Sequence, residues 1–229
     1  MSKPERPVRT ERILLRAAQE IKSGLVINLG IGLPTLVPDY LPDDFDALIH
    51  SENGILGCGP IAKRAQARAS LIDAAGHYVT LRSGSSCFDS SVSFSMIRRG
   101  RIDLCMLGAF EVDQSGNLAN WKIPGKLSPG IGGAMELAQK AKRLIVLSTH
   151  TDKHGRPKIL ERCRLPLTAP VCVNRIITDE AVIDVTPDGL LVQEIAENIS
   201  AEELQNHTEA NLIFPKTNLT GTSGVRRFK

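Results

Sequence analysis

Aromatic residues are scarce. One Trp, two Tyr and six Phe make up 4% of the 229 residues. A base-stacking surface is therefore not expected, and a net charge of +3 spread over scattered basic residues gives no nucleic-acid footprint. Cysteine is also sparse. Cys58, Cys87, Cys105, Cys163 and Cys172 are odd in number and include no CxxC pair, so neither a disulfide framework nor a zinc site is indicated. Reduced thiols fit a cytoplasmic protein. No apolar run approaches the roughly 20 residues of a membrane helix. The opening MSKPERPVRT lacks the apolar core of a secretory signal. Internal repeats and low-complexity linkers are absent too.

What remains is ordinary globular composition, 42% hydrophobic and 23% charged, in a chain long enough to bury a sizeable core. Ile13, Leu14, Ala17, Ala18 and Ile21 recur at helical spacing, and Gly24 can stop that helix. The run Leu25–Leu29 reads as a buried parallel strand, followed by the turn Gly30-Ile31-Gly32-Leu33-Pro34 and a helix starting near Pro34. A second short strand over 46–50 delivers Glu52. Helical spacing returns over 61–74, with much Lys and Arg. Strands are expected at 77–81, 102–107 and 144–148, and helices at 88–97 and 134–142. Between 108 and 130 lies a long excursion rich in Gly, Asn and Pro. Strands at 158–162, 171–177, 181–185 and 190–195 then crowd together before a short helix near 201–206. The reading is an α/β fold with an open, mostly parallel or mixed sheet flanked by helices and a β-rich C-terminal third.

Ligands in such sheets sit at the carboxyl ends of strands. Gly30 and Gly32 follow one expected strand, and Glu52 follows another. A carboxylate at that edge can be a general base, a metal ligand or a nucleophile, and residue pattern leaves base and nucleophile both open. Metal is the weakest option, since no His, Cys or second acid stands at ligand spacing. Gly30-Ile31-Gly32 lacks the third glycine of a dinucleotide fingerprint. The plain alternative for Glu52 is an acid capping a turn.

Four stretches go further. VINLGIGLPTLV, HSENGILGCGP, LGAFEVDQSGNLANWKIPGK and GIGGAMELAQKAKR resemble the B subunit of family I 3-oxoacid CoA-transferases, of the succinyl-CoA:3-ketoacid and 3-oxoadipate type. The resemblance spans residues 10–205 and leaves 206–229 as a polar tail. SENG together with GGAM at this separation is specific. A CoA-transferase or NagB-like fold is implied, with 1–229 as one B-subunit domain. In that family the acid of SENG, here Glu52, is a covalent nucleophile that passes through a glutamyl-CoA thioester. The second glycine of GGAM, here Gly133, lends a backbone amide to the oxyanion. Gly30, Gly32, Asn53, Gly54, Gly132, and Trp121 with Lys122 of NWKIPGK are then expected to shape the site for CoA and acyl group.

The resemblance implies no metal and no cofactor; coenzyme A is a substrate carried from succinyl-CoA to a 3-oxo acid. It also implies a separate A subunit, in an A2B2 heterotetramer. Ser51 and Asn53 are candidates to orient the Glu52 carboxylate, with local turn capping as the alternative. Cys58 reads as a small buried hydrophobe. The basic stretch IAKRAQARASLIDAAG departs from the family, which is acidic and proline-rich there. Arg98-Arg99-Gly100-Arg101 stands where members tend to read RGGH. The added charge fits either a dicarboxylate or CoA-phosphate contact or a solvated helix face. Two other functions stay open, an isomerase with Glu52 as general base and a non-catalytic acyl-CoA-binding subunit.

Overall fold

The computed structural model describes residues 7–42, 44–126, 130–215 and 225–228. Its helices are α1 (Val8–Ala18), α2 (Ser90–Arg98), α3 (Ala134–Lys140) and α4 (Ala201–Asn206), with a 3₁₀ helix at Leu33–Tyr40. The strands of the first half are β1 (Val26–Leu29), β2 (Leu48–Ser51), β3 (Ile55–Ile61), β4 (Val79–Cys87), β5 (Leu104–Gly108), β6 (Glu111–Asp113) and β7 (Leu118–Ala119). Those of the second half are β8 (Leu144–Leu147), β9 (Ile159–Leu160), β10 (Arg175–Ile177), β11 (Ala181–Thr186), β12 (Gly189–Ala196), β13 (Leu212–Ile213) and β14 (Arg226–Phe228).

Five strands form the parallel heart in the order β10-β8-β5-β1-β2. Their sequences are nearly unbroken apolar runs because both faces are covered. Within β5, Leu104 and Met106 face one layer while Cys105 and Leu107 face the other. In β8, Ile145 and Leu147 alternate in the same way with Leu144 and Val146. One layer holds Ile13, Leu14 and Ala17 of α1 with Val37 of the 3₁₀ helix. The opposite layer holds Ile97 of α2 and Leu137 of α3. Burying such side chains stabilises by about 1.5–3 kcal/mol each before entropy is counted.

Antiparallel additions extend both edges. β3 and β4 continue beyond β2, and β11 and β12 continue beyond β10. The β-rich C-terminal third is thus an extension of the same sheet. The excursion after β5 supplies β6 and β7, which form a separate small sheet with β9 in the order β7-β6-β9.

Three expectations need correction. The 61–74 stretch is not a helix: β3 runs to Ile61, and turns follow at Lys63–Ala67 and Arg68–Leu71. Residues 63–70 are all exposed, so a helix there would bury nothing and lack support. The segment after Pro34 is 3₁₀ rather than α-helical, with Pro38 inside it removing an N–H. Part of the polar tail joins the sheet, since β13 and β14 both pair with β12. Tail residues 216–224 and 229 lie outside the described residues. No helix among the described residues is long and apolar enough to cross a membrane.

Candidate active site

Glu52 sits at the tip of the tight hairpin joining β2 to β3. Ser51 pairs with Ile55, and the Gly54 amide donates to the Ser51 carbonyl at 2.9 Å. Gly54 has φ of +123°, and a Cβ there would collide with the Phe88 carbonyl. Only glycine permits both the turn and that approach. In return Phe88 donates its amide to the Gly54 carbonyl at 2.9 Å. This seam docks the start of α2, capped by Asp89, against the Glu52 turn.

The carboxylate is held from the neighbouring strand. Asn28 of β1 stands in register with His50 of β2 and is 1% exposed. Its Nδ2 donates toward Glu52 Oε2 at 3.2 Å, His50 Nδ1 at 3.2 Å and the His50 carbonyl at 3.1 Å. His50 Nε2 lies 2.8 Å from Ser93 Oγ of α2. Burial pushes the His50 imidazole down to about 4, so it is neutral near pH 7. Asn28 Oδ1 is buried without a partner among the described residues. An unpaired buried acceptor costs about 1–3 kcal/mol.

Gly133 closes the other side. It caps α3, 81 positions after Glu52 in sequence, and a Cβ on it would stand 3.1 Å from Glu52 Cγ and 3.4 Å from Oε1. Phe94 of α2 would lie 3.3 Å away. Among the described residues the Gly133 amide has no hydrogen-bond acceptor, as expected at a helix start. No ion pair among the described residues involves Glu52. Its charge reaches inward all the same. Burial, then the Glu52 charge, pushes the Cys105 thiol far up.

On its remaining flank Glu52 borders a cavity of about 400 Å³. Gly30, Leu36, Phe45, Cys58, Val79 and Arg82 are among the residues lining it. A Cβ on Gly30 would meet Leu107 Cδ2 at 2.7 Å, so a larger residue would have to displace that side chain. Arg82 is fixed over the Phe45 ring at 4.4 Å and donates to the carbonyls of Phe45 and Ala47. Cys58, its thiol pushed up to about 11 by burial and then by Asp73, is a poor nucleophile.

The other expected residues are placed differently. Ser51 Oγ accepts from the Ala74 amide, and Asn53 Nδ2 donates to the Ile72 carbonyl at 2.6 Å, so both hold the 72–74 loop rather than the carboxylate. Gly32 shapes the entry to the 3₁₀ helix with φ of +98°, and Gly132 is an exposed turn residue before Gly133. Trp121 donates its indole N–H to the Leu167 carbonyl, with Lys122 Nζ 5.6 Å over its ring. Asn120 bonds the Gly108 carbonyl at the end of β5, so this loop hangs from the same sheet edge without lining the cavity. Asn28 was the residue missed. Its signal is a lone amide inside the apolar run LVINL.

A family model described as coenzyme A transferase matches residues 10–206. The chain belongs to the coenzyme A transferase family. A probable coenzyme A transferase beta subunit of Bacillus subtilis is 50% identical over 202 residues, covering 88% of this chain and 93% of that one. The B subunit of a probable succinyl-CoA:3-ketoacid coenzyme A transferase from the same organism is 46% identical over 201 residues, covering 88% and 93%. Among solved structures, an acyl-CoA transferase apoenzyme from Escherichia coli O157:H7 superposes with a TM-score of 0.76 at 21% identity. That match covers all of this chain and 45% of the longer solved chain, and it concerns the fold.

Proposed function

We propose that this chain is the B-type subunit of a coenzyme A transferase and carries the nucleophile, Glu52, that moves CoA from an acyl-CoA to a 3-oxo acid. The observation that carries the reading is the surroundings of the carboxylate. One oxygen faces an amide donor, the other faces the backbone that opens α3, and no cation among the described residues neutralises it. A nucleophile needs that exposure of charge; a structural acid does not.

The chemistry follows from this placement. A Glu52 oxygen attacks the thioester carbonyl carbon, and the Gly133 amide donates to the oxyanion. The C–S bond breaks, leaving an acyl-glutamyl anhydride and CoA thiolate. The thiolate attacks Cδ of Glu52, the C–O bond breaks, and the donor acid departs as carboxylate. A glutamyl-CoA thioester remains. The acceptor carboxylate then runs the two steps in reverse, giving a new acyl-CoA and free Glu52. No electrons or net protons are exchanged. Losing an oxyanion donor of this type costs about 10²–10³ in rate.

The relatives, named as beta and B subunits, support a separate A-type partner; the proposed assembly is A2B2, in which that partner completes the site. The relative named for a 3-ketoacid supports succinyl-CoA as donor and a 3-oxo acid as acceptor. Five free thiols suit a reducing cytoplasm. Mass spectrometry after exposing the assembled complex to acyl-CoA tests the reading. A CoA-sized adduct is expected on the peptide holding Glu52 and absent in Glu52→Gln. Turnover of the complex without any adduct would overturn it, and proton exchange in its place would make Glu52 a general base.

A further inference from the structure

We propose that Asn28 is the positioning residue for Glu52, and that His50 and Ser93 serve to fix which way its amide points. The inference deepens the reading of Glu52 as nucleophile and rests on it.

Asn28 Nδ2 carries two N–H groups and faces three acceptors, at 3.1, 3.2 and 3.2 Å. The opposite amide orientation would turn Oδ1 toward a carboxylate oxygen and a carbonyl oxygen, neither of which can donate. These two acceptors and His50 Nδ1 together set the observed orientation, although it leaves Oδ1 buried and, among the described residues, unpaired. For His50 Nδ1 to accept, its ring proton must sit on Nε2, where it donates to Ser93 Oγ at 2.8 Å. The chain of donors runs in one direction: Asn28 to His50, His50 to Ser93, with the second Asn28 hydrogen left for Glu52.

Three elements supply these groups. Asn28 comes from β1, His50 from β2 and Ser93 from α2, and all three residues are 1% exposed or less. The arrangement is preorganised by the core rather than by the loop that bears Glu52. It also suits both states of the nucleophile. A free carboxylate accepts the Asn28 hydrogen, and so does the glutamyl carbonyl of the thioester, whose oxygen gains charge when the acceptor acid attacks Cδ. The contact strengthens as that charge develops, which favours the transition state over the ground state.

The test is adduct formation on Glu52, followed by rapid-quench mass spectrometry in the complex with its partner. The wild-type adduct tests the nucleophile itself, so its absence would sink that reading separately. Given a wild-type adduct, Asn28→Ala should slow its formation about 10²-fold, the usual cost of a misplaced reacting group. The KM for acyl-CoA should stay within about threefold, since no binding contact is lost. Asn28→Asp, which keeps the shape and removes the N–H, should be at least as slow. His50→Asn, whose Oδ1 can stand where Nδ1 stands, should recover much of the rate, while His50→Gln should not. Should the Asn28 variants not fold, the two His50 variants still decide the matter. Wild-type adduct rates in Asn28→Asp, a loss carried by KM alone, or equal rates in His50→Asn and His50→Gln would each overturn the proposal.

Discussion

Two glutamates at opposite edges of one sheet show how a fold assigns work to a carboxylate. Glu20 follows α1 and sits where β8 and β10 begin. Its Oε1 accepts from Arg16 at 2.8 Å and Arg175 at 2.6 Å, and its Oε2 from Arg143 at 2.7 Å. Burial pushes its carboxyl up, but the Arg16 bond and the charges of Arg175 and Arg143 outweigh that and bring it to about 2. Arg16 and Arg175 in turn grip Glu194 and Asp184 with paired bonds. At the carboxyl edge Glu52 has one neutral amide and a glycine backbone. Saturation by guanidinium removes basicity and nucleophilicity together. The amino edge is therefore built to hold, and the carboxyl edge leaves its carboxylate unsaturated, as the proposed chemistry needs.

The sharpest way to break this comparison is to neutralise each acid in turn. Glu52→Gln should lower turnover of the assembled complex at least about 10⁴-fold, the scale seen when a covalent nucleophile is lost. Its denaturant midpoint should hold, with a stability change within about 0.5 kcal/mol. Glu20→Gln should do the reverse. Removing one member of a buried ion network costs about 3–5 kcal/mol, because the remaining cations lose their partner. Specific activity per folded molecule should be unchanged. A Glu20→Gln enzyme that is stable but slow would dissolve the distinction.

Gly133→Ala comes next. Its new Cβ meets Glu52 and Phe94 at 3.1 and 3.3 Å, so the carboxylate must give by a few tenths of an ångström or more. A loss of about 10²-fold in kcat is expected, with little change in KM or melting temperature.

Acid separates the two edges by pH window. His50 in the unfolded chain takes up a proton below 6.5 but when folded only near about 4. The unfolded state binds more protons in between, so stability falls as pH drops through that range and is intact above it. His150, buried and pushed down to about 3 by desolvation and then by His207, adds loss of the same sign. Glu20 titrates from 4.5 unfolded to about 2 folded, so its contribution is full above 4.5 and disappears toward pH 2. The His50 and Glu20 shifts each correspond to roughly 3 kcal/mol. Denaturant midpoints from pH 7 to 3 should show the His50 step shrink in His50→Asn. An unchanged curve would remove His50 from the acid response.

Much of this was legible in the residues. Apolar runs such as LCMLG and LIVL announce strands covered on both faces, and an acid just past such a strand points to the carboxyl edge, where ligands bind in open α/β sheets. Pairing is harder to read. Asn28 and His50 meet only because β1 and β2 align in parallel register, and nothing in either strand's sequence states that partnership. Gly133 reaches Glu52 through the packing of α2 against α3, a contact across 81 positions. The 61–74 stretch misled because alanines among lysines and arginines have helical propensity, while the chain there has no layer to cover. Ser51 and Asn53 flank Glu52 in sequence, yet a hairpin turns their side chains to the 72–74 loop.

The smallest expected effect concerns a third kind of charge on the same carboxyl edge. Lys122 is exposed, rests 5.6 Å over Trp121 and forms no ion pair among the described residues. Its ring contact is worth about 0.5–1 kcal/mol, so Lys122→Ala should leave stability almost untouched. Glu20 uses its charge for structure and, on the proposed function, Glu52 for chemistry; Lys122 is placed to attract an anionic ligand from solution. A CoA ester carries several phosphate charges. Its KM should rise several-fold in Lys122→Ala at low salt, the difference should fade near physiological ionic strength as screening sets in, and the adduct rate at saturation should stay the same. An unchanged KM at low salt would take the 120–122 loop out of the CoA path, and a lowered saturated rate would move it into the chemistry beside Glu52.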